Sequence, residues 1–181
     1  KDFAMELYQE EIFVFTPSGE VRKLPKGATV LDFAFNIHSR LGMTCVGARV
    51  GHRNVKINYQ LKSGDTVEIL TNPQQTPKLD WLSIVATSKA RNRIKQGIKE
   101  IENREAETGK ELLQRRFKNR KIEIEEGDIS KIILKMGFKI QTHFYHALSI
   151  GEIDVDDVLK TWDVIQAQSS ESNVTDKEQH K

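Results

Sequence analysis

The sequence has little of what several classes of protein require. It contains one cysteine, Cys45, in 181 residues, which excludes a disulfide framework and a zinc site built from several cysteines. A single thiol is typical of a reducing compartment, so we expect a cytoplasmic protein. No apolar run approaches the roughly 20 residues of a membrane-spanning helix, and we expect no membrane partner. The N-terminus, residues 1–5, has neither an initiator methionine nor a charged-then-apolar leader, which indicates a piece of a longer protein.

Catalytic motifs are also missing. The sequence has no P-loop and no G-x-G-x-x-G. Cys45 lies in a predicted apolar strand, where a small buried hydrophobe is more typical than a nucleophile. His143 and His146 are spaced i,i+3 on a predicted helix, but no third metal ligand is evident near them in the sequence. We therefore expect this chain to have no catalytic residue, no metal and no cofactor.

The composition favours two small domains over one thick globule. Hydrophobic residues make up 38% of the chain and charged residues 30%. The net charge of +2 is unevenly spread, because residues 89–121 carry 12 Lys/Arg against 5 Asp/Glu, whereas residues 122–181 have a net charge of −6. An excess of +7 within one segment attracts polyanions, although a solvated helix surface with i,i+4 ion pairs has the same composition.

The first part of the chain has the pattern of a β-grasp domain. Short runs rich in β-branched and aromatic residues alternate with turn signals. The predicted strands cover residues 12–17, 20–24, 45–50, 55–57 and 66–71. Between the second and third strand, Thr29 is a helix N-cap, and the apolar spacing predicts a helix from Val30 to about Leu41. The order β-β-α-β-β-β predicts a small sheet wrapped around one helix, over residues 11–71.

The second part is predicted to be helical, which makes the whole chain α+β. Residues 72–78 hold two of the four prolines and no apolar side chain, and we place a linker at 72–79. Helical periodicity then predicts a small all-α domain over 80–167, with separate helices near 90–101 and 112–117. Further helices are expected after caps at Asp128 and Thr142, and around Trp162. The polar residues 168–181 predict a disordered tail.

One candidate binding residue stands out in the first part. On the helical wheel, His38 lies at the flank of the predicted helix beside Phe35, and Arg40 follows it. An imidazole, an aromatic ring and a cation are the groups that hold single-stranded nucleic acid ends. The structural alternative is a half-buried histidine that completes the seam between helix and sheet.

Longer motifs resemble a known family. IFVFTPSGEVRKLPKGATVLDFAFNIHSRLG (12–42), with CVGARV (45–50) and LKSGDTVEIL (61–70), resembles a TGS domain. Threonyl-tRNA synthetases, a class of Obg-like GTPases and RelA/SpoT-type stringent factors share this β-grasp module. DWLSIVATSKARNRIKQ (80–96) resembles the start of the helical domain that follows TGS in the RelA/SpoT factors. ELYQEEIFVFTP (6–17) resembles the connector from their synthetase domain, which would make residues 1–10 that connector.

The resemblance implies a parent enzyme that synthesises (p)ppGpp from ATP and GDP or GTP, and in many members also hydrolyses it. Both catalytic domains precede TGS in that family, so this chain is expected to be a non-catalytic regulatory fragment. The family's TGS and helical domains bind deacylated tRNA on the ribosome, which implies that His38 contacts the tRNA 3′-CCA end. Phe35 and Arg40 are its candidate neighbours. Candidates for contacts to the RNA backbone are Lys89, Arg93, Arg115, Arg116, Lys118 and Arg120.

Two other functions remain open from the sequence. The chain could act as an intramolecular regulator that docks on the parent's catalytic domains. Its TGS domain could also serve purely as a protein-interaction module. Salt-sensitive binding to uncharged tRNA favours RNA sensing, whereas binding only to the catalytic domains favours intramolecular regulation.

Overall fold

The computed structural model describes residues 10–178, and the expected connector at 1–10 lies outside this range except for Glu10. The predicted α+β class is confirmed, with small antiparallel sheets followed by a helical region. The chain divides into two compact units, the first ending at Lys99 and the second beginning at Glu100. This division differs from the expected boundary at 72–79 and falls inside a helix.

The first unit extends past the predicted linker because apolar residues beyond it enter the same core. Trp81, Val85, Ala90 and Ile94 are buried together with the apolar side chains of the strands and of the first helix. The sequence pattern from residue 80 onward predicts an apolar helical face that belongs to a separate domain. In the structure this face is buried in the core of the first unit, away from water. The first unit is therefore a β-grasp with an added helical segment.

Between residues 10 and 99, five strands form the sheet structure. They are β1 (Glu11–Phe15), β2 (Val21–Pro25), β3 (Cys45–Val50), β4 (Arg53–Val55) and β5 (Val67–Thr71). β1 and β2 form an antiparallel hairpin, and β3 lies between β4 and β5 with antiparallel pairing on both sides. A parallel bridge between Phe15 and Thr66 connects the hairpin to the second sheet. The Phe15 N–H also donates to the Asp65 carbonyl at 2.8 Å.

Two helices, rather than one, connect β2 to β3. Helix α1 (Val30–Ile37) begins at a capping box, in which the Thr29 side chain accepts from the Asp32 N–H and the Asp32 carboxylate accepts from the Thr29 N–H. The single helix predicted to reach Leu41 is wrong, because the chain is extended at His38 and a second helix, α2 (Ser39–Met43), follows.

The predicted helices near 90–101 and 112–117 are one helix. A short 3-10 helix (Leu79–Ser83) precedes α3 (Ser88–Asn119), which has 32 residues and contributes to both units. Gly109 lies within α3 and does not end it. A Cβ atom there would overlap the backbone carbonyl of Tyr145, so this glycine allows α3 to approach the helix that carries Tyr145.

Up to residue 178, three further helices follow α3 in the second unit: α4 (Glu126–Lys135), α5 (Gln141–Ile150) and α6 (Val155–Glu178). Leu113, Phe117 and Ile132 pack in its core with buried residues of α5 and α6. Within residues 10–178, none of the helices combines the length and apolar character that crossing a bilayer requires.

Three expectations for this unit change. Glu125 rather than Asp128 is the N-cap of α4, with Asp128 completing a capping box at the third helical position. Helix α5 starts at Gln141, and its cap residue Ile140 makes no side-chain capping bond, so Thr142 is not its cap. The tail predicted to be disordered at 168–181 is helical to Glu178, because it continues α6 beyond the buried Trp162.

Candidate functional site

A buried carboxylate connects α1 to the segment that precedes α3. Asp32 is 1% exposed, and its oxygens accept from the N–H groups of Ala86 and Thr87 at 2.9 and 3.0 Å. They also accept from the Thr87 hydroxyl at 2.8 Å and from the Thr29 N–H at 2.9 Å. The Thr87 hydroxyl oxygen in turn accepts from the Ala90 N–H at 3.2 Å, which caps the start of α3. Asp32 therefore fixes the beginning of α3 against the β-grasp.

His38 occupies the turn between α1 and α2 and caps both helices. Its N–H donates to the Ala34 carbonyl at 3.1 Å, and its own carbonyl accepts from the Gly42 N–H at 3.2 Å. Its Nδ1 accepts from the Arg40 N–H at 3.0 Å, which makes the imidazole the side-chain cap of α2. Because Nδ1 is an acceptor here, the neutral ring carries its proton on Nε2. The exposed ring therefore offers a donor to solvent in a fixed orientation.

The structure corrects the position expected for Phe35. This side chain is 1% exposed and belongs to the core of the first unit, so it does not lie at the surface beside His38. The wheel assumed a continuous helix to Leu41, whereas α1 ends before His38 and the phase is lost there. Arg40 is exposed and lies two residues after His38. Of the three candidates for the CCA end, His38 and Arg40 are accessible and Phe35 is not.

The Phe35 ring instead packs against Gly42, on the buried side of the turn. A Cβ atom on Gly42 would overlap the Phe35 ring, and Gly42 is itself buried. Since His38 and Gly42 are joined by a backbone hydrogen bond, the aromatic core sets the position of the turn that carries the imidazole.

Replacing Gly42 with alanine is expected to lower the free energy of unfolding by about 1–3 kcal/mol, because the buried Phe35 ring must move to admit the methyl group. Urea denaturation followed by circular dichroism measures this loss. Gly127→Ala is the matched control, since Gly127 lies in helix α4 with open space around it and alanine there should stabilise by up to about 1 kcal/mol. Equal effects at the two positions would contradict the close packing at Gly42.

The candidates for backbone contacts are exposed, but they are divided between the two units. Lys89 and Arg93 lie on the part of α3 in the first unit, and the others lie on or just after its end in the second: Arg115, Arg116, Lys118 and Arg120. One of these cations already has a partner, because the Arg116 guanidinium lies 3.3 Å from the Asp156 carboxylate. Arg116 is therefore the weakest of the six as a phosphate contact.

The remaining reactive side chains, a cysteine and two histidines, lie where their contacts indicate structural roles. Cys45 is fully buried, and burial raises the pKa of its thiol to about 11, so it stays protonated at neutral pH. His143 and His146 face Glu102 and Glu105 on α3, with Nε2 to carboxylate distances of 3.2 and 2.7 Å. Over residues 10–178, no group of three or more His, Cys, Asp or Glu side chains is arranged to hold a metal ion.

Comparisons with known proteins agree with this fold. The TGS domain family matches residues 12–71. The chain is 41% identical to a GTP pyrophosphokinase of Myxococcus xanthus over 154 residues, which cover 82% of this chain and 20% of that protein. It is 43% identical to a guanosine-3′,5′-bis(diphosphate) 3′-pyrophosphohydrolase of Aquifex aeolicus over 156 residues, covering 85% of this chain and 22% of that protein. The chain spans about a fifth of the length of these relatives.

Residues 12–71 thus form a TGS domain, and its β-grasp carries the His38 turn. Over most of its length the chain is similar to RelA/SpoT-type enzymes, and the part of these enzymes that it matches is their regulatory C-terminal region. The resemblance in its motifs is confirmed, and the similarity also extends into the helical region beyond residue 100, since a third relative, a GTP pyrophosphokinase of Brucella ovis, is 36% identical over 86% of the chain.

Proposed function

We propose that this chain senses deacylated tRNA on the ribosome on behalf of a (p)ppGpp synthetase/hydrolase, with the TGS domain contacting the tRNA 3′-CCA end. The observation that carries the proposal is the exposed imidazole of His38, held by the bond from the Arg40 N–H. A splayed single-stranded end is recognised by flat rings and by donors to base edges and phosphates. The exposed Arg40 side chain adds a cation two residues away.

The exposed cations of α3 support a second set of contacts, to the RNA backbone. Arg116 is paired with Asp156. Among the ion pairs described for residues 10–178, none involves the other five candidates, which are Lys89 and Arg93 on the first unit and Arg115, Lys118 and Arg120 on the second. Each phosphate that such a side chain neutralises releases counterions, which makes binding tight at low salt and independent of sequence.

Changing Arg115, Arg116, Lys118 and Arg120 together to glutamine is expected to weaken binding of deacylated tRNA irrespective of its sequence. The slope of log affinity against log salt should become shallower by up to about one unit per lost contact. Fluorescence anisotropy with end-labelled tRNA over a series of KCl concentrations measures both quantities.

The control variant removes four positive charges outside the basic segment. Lys131, Lys135, Lys139 and Lys160 are exposed lysines in the acidic last third of the chain, and their change to glutamine should leave the slope close to that of the unmodified protein. The single variant Arg116→Gln should have less effect than Arg115→Gln, because Arg116 is already paired. A slope unaltered in the quadruple variant would identify the basic segment as a solvated helix surface.

We infer that the two activities named for the relatives belong to parts of the parent protein outside this chain, because the chain spans only about a fifth of the relatives' length. The chain itself would then neither make nor degrade (p)ppGpp. It would need no cofactor and would act in the cytoplasm beside the parent's catalytic domains.

An alternative proposal, docking on those catalytic domains, is favoured by an exposed apolar surface on the hairpin. Phe13 and Val21 are 49% and 51% exposed, and Val21 pairs across the strands with Phe15, two residues from Phe13. Exposed apolar patches mark protein interfaces. Binding of this chain to the parent's catalytic region but not to deacylated tRNA would support docking and contradict RNA sensing.

A further inference from the structure

The second unit contains an open groove of about 460 Å³ at the end of α3. Buried side chains of α3 and α5 form its floor together with half-buried isoleucines: Leu113, Phe117, Tyr145, Ile122, Ile124 and Ile129. Four charged or amide side chains also line it: Gln114, Lys118, Lys121 and Glu123. A concave, mostly apolar surface of this size with a few polar groups is typical of a small-molecule site.

Lys121 reaches the groove from an unusual backbone conformation. Its φ is 54°, and among residues 10–178 it is the one non-glycine residue with a positive φ. The Lys121 N–H donates to the Lys118 carbonyl and the Ile122 N–H donates to the Phe117 carbonyl, which ends α3 in the way that helices commonly end with glycine. A lysine is a strained choice there, and strain of this kind is typical of binding sites.

We propose that this groove binds a small anionic ligand with an apolar body. The two lysines outnumber the single carboxylate of Glu123, so the rim is net positive and suits a carboxylate, sulfonate or phosphate group. The apolar body of the same molecule would cover Phe117, Ile124 and Ile129. An amphipathic peptide helix needs anchors over two or more turns, whereas this groove has room for one compact group.

The probe is 8-anilino-1-naphthalenesulfonate, and the comparison compound is N-phenyl-1-naphthylamine, which has the same rings without the sulfonate. Fluorescence titration of the 181-residue protein should give one saturable site that binds the anion more tightly than the neutral amine. The double variant Lys118→Gln/Lys121→Gln should weaken binding of the anion about three- to tenfold and leave the amine unchanged. Glu123→Gln should tighten binding of the anion about two- to threefold, because the repelling carboxylate is gone.

Two variants test whether a weaker affinity for the anion comes from the loss of positive charge in general or from a loss of folding. Lys131→Gln/Lys139→Gln removes the same charge from the same unit outside the groove and should leave the affinity unchanged. Lys121→Gly should melt at no lower temperature than the unmodified protein, because glycine adopts positive φ freely, and yet bind the anion more weakly. Equal affinities for the two compounds, or an anion affinity untouched in the Lys118/Lys121 double variant, would overturn the proposal and leave the groove to an uncharged side chain of a protein partner.

Discussion

Replacing Asp32 with alanine is expected to lower the free energy of unfolding of the first unit by about 3–5 kcal/mol. The carboxylate accepts hydrogen bonds from Thr29, Ala86 and Thr87, and their N–H groups lose this acceptor together. Urea denaturation followed by the fluorescence of Trp81, which is buried in the same core, measures the loss. A Trp162→Phe background removes the tryptophan of the second unit from the signal.

Two further variants separate the carboxylate from its volume. Asp32→Asn keeps the shape but turns an NH2 group toward backbone donors, so it should destabilise nearly as much as alanine. Thr87→Val removes the hydroxyl that joins Asp32 to the Ala90 N–H, and a loss of about 1–2 kcal/mol is expected from the missing cap. If Asp32→Asn unfolds within 0.5 kcal/mol of the unmodified protein, on the order of an ordinary surface change, Asp32 is not what holds α3 to the β-grasp.

The Asp32 contacts show why the domain boundary could not be predicted from the sequence while the β-grasp could. Four of the five strands and the N-cap at Thr29 depend on residues within a few positions of one another, and these local patterns predicted them. The fourth strand is the exception, because β4 lies at Arg53–Val55 rather than at the predicted 55–57. The bonds from Asp32 to Ala86 and Thr87 join positions 54 and 55 residues apart. The proline-bearing segment at 72–78 lies between these positions. It has the composition of a linker whether the helix that follows packs on the β-grasp or belongs to a separate domain.

The CCA-end candidates show a similar limit. The residue types around His38 predicted a surface histidine near a cation, and the structure has both exposed. The wheel placed Phe35 beside them because it treated residues 30–41 as one helix. Histidine is not among the preferred N-cap residues, so nothing in the local pattern indicated that the His38 backbone would end one helix and its ring would cap the next. The close contact between Gly42 and Phe35 depends on the tertiary packing of that turn.

His38→Glu is expected to lower the affinity for deacylated tRNA by about 5- to 150-fold, since one base-stacking contact is worth roughly 1–3 kcal/mol. The carboxylate would also repel the phosphates of the CCA end. Filter binding at constant salt measures the affinity. In the full-length parent, the same change should abolish stimulation of synthesis by uncharged tRNA on ribosomes and leave basal synthesis in place.

The capping role of His38 determines which controls are informative. The Nδ1 atom accepts from the Arg40 N–H, and glutamate and glutamine are not among the preferred caps, so His38→Glu and His38→Gln are both expected to weaken this bond. Asparagine and aspartate are good caps, and His38→Asn should keep the fold within about 0.5 kcal/mol while removing the aromatic face. His38→Asp keeps the cap as well and adds the negative charge.

The four variants together distinguish recognition by the ring from support of the turn. If the ring and its Nε2–H contact RNA, His38→Asn should bind tRNA more weakly than the unmodified protein, and His38→Asp more weakly still, with both proteins melting normally. If the imidazole serves only as a cap, His38→Asn should bind tRNA as the unmodified protein does, while His38→Gln loses stability and affinity in parallel. The second pattern would limit His38 to holding α2 against α1, and contact with the CCA end would then have to come from Arg40 or from elsewhere on the TGS domain.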